Sequence, residues 1–191
     1  MDQTLKKRIV VAMTGASGSI LALDLLRQLR LIQDLEIHFV LSRGAEVTMG
    51  YEAPSHQQEL RDYAHQIYDN SSIGAAIASG SFNTVGMVVV PCSMKTVAGI
   101  HSGYSESLIL RAADVTLKER RPLVLIPREA PFSPIHLRNL YELSMMGVTI
   151  LPPVMTFYHK PKEIEDMVTQ LTGKILDCFG LPSLHYKRWN G

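Results

Sequence analysis

Short runs of consecutive apolar residues alternate along this chain with longer segments whose apolar positions recur every three or four residues. Residues 8–14 ("RIVVAMT"), 36–41, 84–90 ("TVGMVVV"), 122–127 and 148–151 are of the first kind. Their length and unbroken apolar character predict strands buried on both faces. Between them, residues 18–31 carry Leu21, Leu25, Leu26 and Leu29 at helical spacing, and residues 105–119 carry Leu108, Ala112 and Val115. Residues 135–146 and 162–179 complete the long helices, stopped by Gly147 and by Gly180 with Pro182. Shorter helices are predicted from Ser42 into Tyr51 and over residues 57–66. Residues 70–83 ("NSSIGAAIASGSFN") are small, polar and glycine-rich, which predicts a loop with at most a short helical piece.

Buried strands separated by helices require a parallel sheet covered on both faces, a three-layer, doubly wound α/β architecture. Neither a repeat nor a linker interrupts it, so residues 1–191 read as one domain. In such folds ligands gather outside the carboxyl ends of the strands. Those ends fall at residues 14–19, 42–43, 91–96 and 127–133, which is where the unusual residues of the chain lie.

Composition narrows this picture by exclusion. At 46% hydrophobic and 19% charged residues, with net charge +1, the chain has an ordinary globular balance that supports neither nucleic-acid nor membrane binding. Lys6-Lys7-Arg8 resembles the start of a signal peptide, yet the apolar run after it breaks at Thr14-Gly15, too early for an h-region. Two cysteines make no disulfide framework, and a cytoplasmic setting is expected.

The loop "MTGASGSI" (residues 13–20) lacks both the Gly-x-Gly-x-x-Gly and the Gly-Lys-Ser/Thr fingerprints. Gly15 and Gly18 permit a tight turn, Ser17 or Ser19 is placed to cap the helix, and free N–H groups would attract an anion. A plain capped turn explains the loop equally well. "PCSMKT" (residues 91–96) repeats the theme, with Ser93 as N-cap and Thr96 as a second hydroxyl; Cys92 reads as a small buried residue and Lys95 as a solvated charge. In "LRAADVTLKERRP", Arg111, Asp114 and Lys118 share a polar helix face, on which Asp114 is expected to pair with both cations. "PREAPFSP" brings Arg128 and Glu129 to a strand end, "FYHKP" offers Tyr158, and Lys174 follows on the last helix. Such cations suit an anionic substrate, and the carboxylate suits proton transfer.

"TGASGS", "PCSMKT", "RAADVTLKERRPLVL", "PREAPFSPIHL" and "ILPPVMTFYHKP" occur in this order and spacing in the flavin prenyltransferases. The chain resembles this UbiX-like family, also known as the small subunit associated with phenolic-acid decarboxylases, over residues 8–189. The resemblance implies a flavodoxin-like Rossmann fold, FMN binding and a dodecamer built from trimers. It implies metal-independent transfer of the dimethylallyl group of dimethylallyl phosphate to N5 and C6 of reduced FMN. The product, prenylated FMN, would serve a UbiD-type decarboxylase.

Carried over by position, the resemblance implies FMN contacts at Gly15, Ala16, Ser17 and Ser42, along Ser93, Met94, Lys95 and Thr96, and at Arg128. It implies that Tyr158 and Lys174 hold the substrate phosphate, with Arg111 and Lys118 nearby, reaching from a neighbouring subunit. Glu129 would transfer a proton, relayed through Ser17, Glu52 would add a second carboxylate, and Trp189 in the tail (residues 181–191) would help close the pocket. One departure is Ser107, where the family usually has Asn before the Leu that opens this helix. No Asp-Asp-x-x-Asp cluster and no His-x-x-x-His spacing among the seven histidines supports a metal, so cations and a phenol would stabilise the departing phosphate. A flavin-dependent cysteine decarboxylase would need a Pro-x-Met-Asn loop, absent here. A non-catalytic FMN-binding subunit or carrier, and a chain that itself decarboxylates an aromatic acid, are the remaining alternatives.

Overall fold

A computed structural model describes residues 6–190. Six parallel strands form one sheet: β1 (Lys7–Met13), β2 (Leu35–Leu41), β3 (Gln66–Asp69), β4 (Gly86–Cys92), β5 (Leu123–Pro127) and β6 (Thr149–Ile150), in the order β3-β2-β1-β4-β5-β6. Seven α-helices join them: α1 (Ser19–Arg30), α2 (Arg43–Glu52), α3 (His56–Tyr63), α4 (Met94–His101), α5 (Leu108–Lys118), α6 (Pro134–Met145) and α7 (Ile164–Cys178). The five strands read from the sequence have the flavodoxin order 2-1-3-4-5, and β3 extends it at one edge to the Rossmann order.

The expected helix over 57–66 is corrected by that edge. It ends at Ala64, which turns extended, and His65 N–H then donates to Ile37 C=O at 3.0 Å, opening the β3 ladder. Only four residues long and half-buried at best, "QIYD" gave no periodic signal of its own. Other shifts are smaller. The helix expected from 105 starts at Leu108, because the Ser107 hydroxyl caps it by accepting from Leu110 N–H. The "PCSMKT" loop opens a complete helix, α4, and the loop of residues 70–83 holds one 3-10 turn at Ala76–Ala78.

Alternation along each strand divides the core. Ile9, Val11 and Met13 face one layer with Ile37, Phe39 and Val90, beneath α1, α3 and α7. Val10, Ala12, Val89 and Leu125 face the other with residues of α4, α5 and α6. Both faces of the sheet are therefore sealed, and the exposed carboxyl edge is where loops are free to carry chemistry.

Candidate functional site

Adjacent β1 and β4 send their chains to opposite sides of the sheet, α1 toward β2 and α4 toward β5, which opens a crevice at their carboxyl ends. Thr14 stitches the two loops across it. Its hydroxyl donates to Pro91 C=O at 3.0 Å and accepts from Ser93 N–H at 2.8 Å. The sequence reading passed over Thr14 as a strand end, although a hydroxyl closing an apolar run is a signal. Gly15 lies against Gly44 so closely that a Cβ would meet the Gly44 backbone at 3.0 Å. This crevice is a cavity of ≈ 1200 Å³ that gathers Gly15, Ser42, Ser93, Lys95 and Thr96. Ala16 and Met94 are buried, and the Met94 side chain packs into the core, so only its main chain can face a ligand.

Helix α1 is capped differently from expectation. Its N-cap is Gly18, with φ 115°, and neither serine makes the side-chain cap bond. Glu52, at the end of α2, does so instead: its carboxylate accepts from Gly18 N–H at 3.0 Å, and from Ser19 N–H at 2.9 Å and the Ser19 hydroxyl at 2.7 Å. The anion at this helix dipole is therefore the protein's own. Partial burial pushes the Glu52 carboxyl up, but hydrogen bonds from Ser17, Ser19 and Gly18 outweigh it and leave its pKa below the ordinary value. Ser17 is exposed at the turn just before Gly18 and Ser19.

At α4 the expected cap is present: Ser93 Oγ accepts from Thr96 N–H and lies 3.1 Å from Thr96 Oγ1. Lys95 is exposed and lines the cavity. Cys92 is fully buried, and burial pushes its thiol far above the usual range, as suits a packing residue. Arg128 N–H donates to Cys92 C=O at 3.1 Å, so the exposed Arg128 and half-buried Glu129 stand beside the same loop. One Glu129 oxygen accepts from Ala130 N–H at 3.1 Å.

Asp114 pairs with Arg111 at 2.6 Å, whereas Lys118 pairs with Glu119, which corrects the expected three-charge ladder. Lys118 also lies beside Gly80, ahead of β4. Within one chain it sits at the amino edge of the sheet, away from the crevice.

A second cavity, ≈ 370 Å³, opens between the segment after β6 and α7, where Tyr158, Gln170, Lys174 and Tyr186 meet. Tyr158 and Lys174 are therefore brought together. Lys174 Nζ binds Asp177 at 2.9 Å, and this carboxylate raises the Lys174 pKa. Arg188 and Lys174 together hold the Asp177 carboxyl down at about 2. Trp189 meets Tyr158 edge-on, 5.6 Å between ring centroids. The tail is ordered through Gln170 and Asp177, neither of which the sequence reading singled out; a polar residue inside the apolar stripe of α7 was the signal for Gln170. Among the described residues no group of three or more His, Cys, Asp or Glu is gathered as for a metal ion.

Fold and crevice together define a flavodoxin-like α/β protein with a hydroxyl-lined ligand site at the topological switch point. The model of the Flavoprotein family matches residues 1–176. The chain is 50% identical over 185 residues to the flavin prenyltransferase LpdB of Lactiplantibacillus plantarum, covering 97% of this chain and 99% of the relative. It is 46% identical over 184 residues to a probable UbiX-like flavin prenyltransferase of Sedimentibacter hydroxybenzoicus, covering 96% and 97%. Among solved structures, AnUbiX (PadA1) in complex with FMN and dimethylallyl pyrophosphate superposes with a TM-score of 0.94 at 49% identity, over 97% of this chain and 98% of that one. This chain belongs to the UbiX-like flavin prenyltransferases, within the Flavoprotein family.

Proposed function

We propose that the chain transfers the dimethylallyl group of dimethylallyl phosphate to reduced FMN, making prenylated FMN for a UbiD-type decarboxylase without a metal ion. One observation carries this reading: the chain holds a hydroxyl-lined crevice and, as a separate cavity, the convergence of Tyr158 and Lys174. The crevice fits FMN in size and chemistry. Ser42, Ser93 and Thr96 offer hydroxyls, the start of α4 offers main-chain N–H groups, Lys95 adds positive charge, and the exposed Arg128 stands beside the same loop. Gly15 presents its backbone to a flat ligand, with Ala16 packed behind it. Reduced FMN, when bound, supplies the nucleophile and is the prenyl acceptor.

The protein's own residues do the rest. Tyr158 and Lys174 take up charge on the departing phosphate, with Arg111 and Lys118 contributed by a neighbouring subunit. Glu129 is the base: one oxygen is held by Ala130 N–H, leaving the other to take a proton. Ser17 lies in the loop whose next residues, Gly18 and Ser19, Glu52 anchors, and its exposed hydroxyl relays the proton. Trp189 packs edge-on against Tyr158, which places the tail aromatic beside the phosphate-binding phenol. A dodecameric assembly is supported by a UbiX-like structure from Escherichia coli O157:H7 described as dodecameric, and by the apolar side chains Ile135, Tyr141 and Met145 that α6 exposes. The setting is cytoplasmic; no described helix is long and apolar enough to cross a membrane.

That E. coli structure is also described as an FMN-dependent decarboxylase, which keeps an FMN-binding role in aromatic-acid decarboxylation as the second reading. Anaerobic incubation with reduced FMN and dimethylallyl phosphate separates the two. Mass spectrometry should find the flavin heavier by one prenyl unit, and a flavin of unchanged mass would defeat the proposal. Glu129→Gln should stall formation of the finished prenylated flavin while FMN still binds; unimpaired product would remove Glu129 from the role of base.

A further inference from the structure

Gln170 lies on α7, 5% exposed, and joins the cavity to the tail. Its Nε2 donates to Tyr158 Oη at 2.9 Å and to Lys187 C=O at 2.8 Å, and its Oε1 accepts from Lys187 N–H at 3.0 Å. The amide thus pairs with both main-chain groups of one tail residue, as a neighbouring strand would. Lys187 N–H can only donate and its carbonyl can only accept, so the main chain dictates which end of the amide is nitrogen. Turned over, the amide would face donor to donor and acceptor to acceptor.

That constraint passes to Tyr158. Because Nε2 must face the phenol, Tyr158 Oη is an acceptor toward Gln170, and its own hydrogen is left to point elsewhere. The open side is the cavity, onto which Lys174 also faces. Around this link the tail is held by Ser183, whose hydroxyl donates to Gln28 Oε1 at 3.1 Å, and by the Arg188–Asp177 ion pair. Tyr186 packs on the bare backbone of Gly173, where a Cβ would come within 2.5 Å of the ring's own Cβ.

We propose that Gln170 is a positioning residue: the tail backbone orients its amide, and the amide presents Tyr158 as a hydrogen-bond donor to the substrate phosphate. The main chain of Lys187 then takes part in substrate recognition without touching the substrate. This rests on the function proposed above for the identity of the phosphate ester, and on the structure alone for the link between tail, amide and phenol.

Two variants test it in the assembled protein. Gln170→Met keeps the bulk and removes the amide; Lys187→Pro removes the tail N–H and leaves the core untouched. In each, KM for dimethylallyl phosphate should rise about tenfold, the cost of a lost or misdirected hydrogen bond to an ionic group. kcat should fall by no more than it does in Tyr158→Phe, FMN fluorescence titration should be unchanged, and trypsin should cut faster after Lys187 (in Gln170→Met) and after Arg188. In a Tyr158→Phe background, Gln170→Met should add less than about twofold to KM, since the phenol through which it acts is gone. A wild-type KM in both variants, a full additional factor in the Tyr158→Phe background, or unchanged trypsin cleavage overturns the proposal. Calorimetric titration with inorganic phosphate reports the same tenfold weakening without turnover. Loss of wild-type prenylation alone therefore counts against the proposed reaction, and an unchanged phosphate affinity in Gln170→Met counts against Gln170.

Discussion

Glu52 shows how one side chain can fix two elements at once. Its carboxylate ends α2 and satisfies the first N–H groups of α1, so it holds Ser17 and the glycine loop in place. Glu52→Ala leaves those donors to water and should lower stability by about 1 kcal/mol, the usual cost of a lost helix cap, read as a shift in the urea midpoint. Ser19→Ala should cost less, since the Ser19 main-chain N–H still reaches Glu52. At this scale the sequence was informative about residue type and silent about partners. Ser93 announced itself as a cap because a cap bonds within three residues of itself, whereas Ser107, inside the expected helix, did not. Glu52 reaches back 34 residues to Gly18, and Gln170 forward 17 to Lys187; such bonds exist only once the fold is made.

Among the elements, the buried strands β1, β2, β4 and β5 were legible because consecutive apolar residues admit few alternatives. The edge strand β3 was not, since half-exposed "QIYD" owes its conformation to pairing with β2. The β2–β3 edge carries its own pH dependence. His38 on β2 is 7% exposed, with Nδ1 2.9 Å from Tyr68 Oη on β3 and Phe82 edge-on to its ring. The groups facing it are Glu36, Arg8 and His65. Burial dominates and holds the imidazole pKa below its ordinary 6.5. The folded chain therefore resists a proton that the unfolded chain accepts. This contribution is whole above pH 6.5 and is lost as pH falls through the folded value. His38→Phe should flatten the decline of Tm between about pH 7.5 and about pH 5.5, measured by calorimetry; an undiminished slope would assign that decline to other groups.

For the whole molecule, one chain assembles only part of the proposed site. The crevice gathers Gly15, Ser42, Ser93, Lys95 and Thr96, and the second cavity gathers Tyr158 and Lys174, but Lys118 stands at the opposite edge of the sheet. Motif spacing could group these residues by family without saying which belong to one chain's surface. If Lys118 acts in a neighbour's site, co-expressed Lys118→Ala and Tyr158→Phe chains should recover a measurable fraction of prenylation that neither variant retains alone. No recovery would place Lys118 outside the reaction.

Regarded as a ligand, Glu52 is a competitor tethered to its own receptor. A free phosphate approaching the start of α1 must displace a carboxylate held at an effective concentration of order millimolar or above, and must do so against its negative charge. That terminus is already occupied by the protein's own carboxylate, which leaves the start of α4 as the anion port of the crevice. A chain carrying Glu52→Gly would open the second port, so the selectivity of this site against unwanted phosphates resides partly in an acid on the protein's own α2.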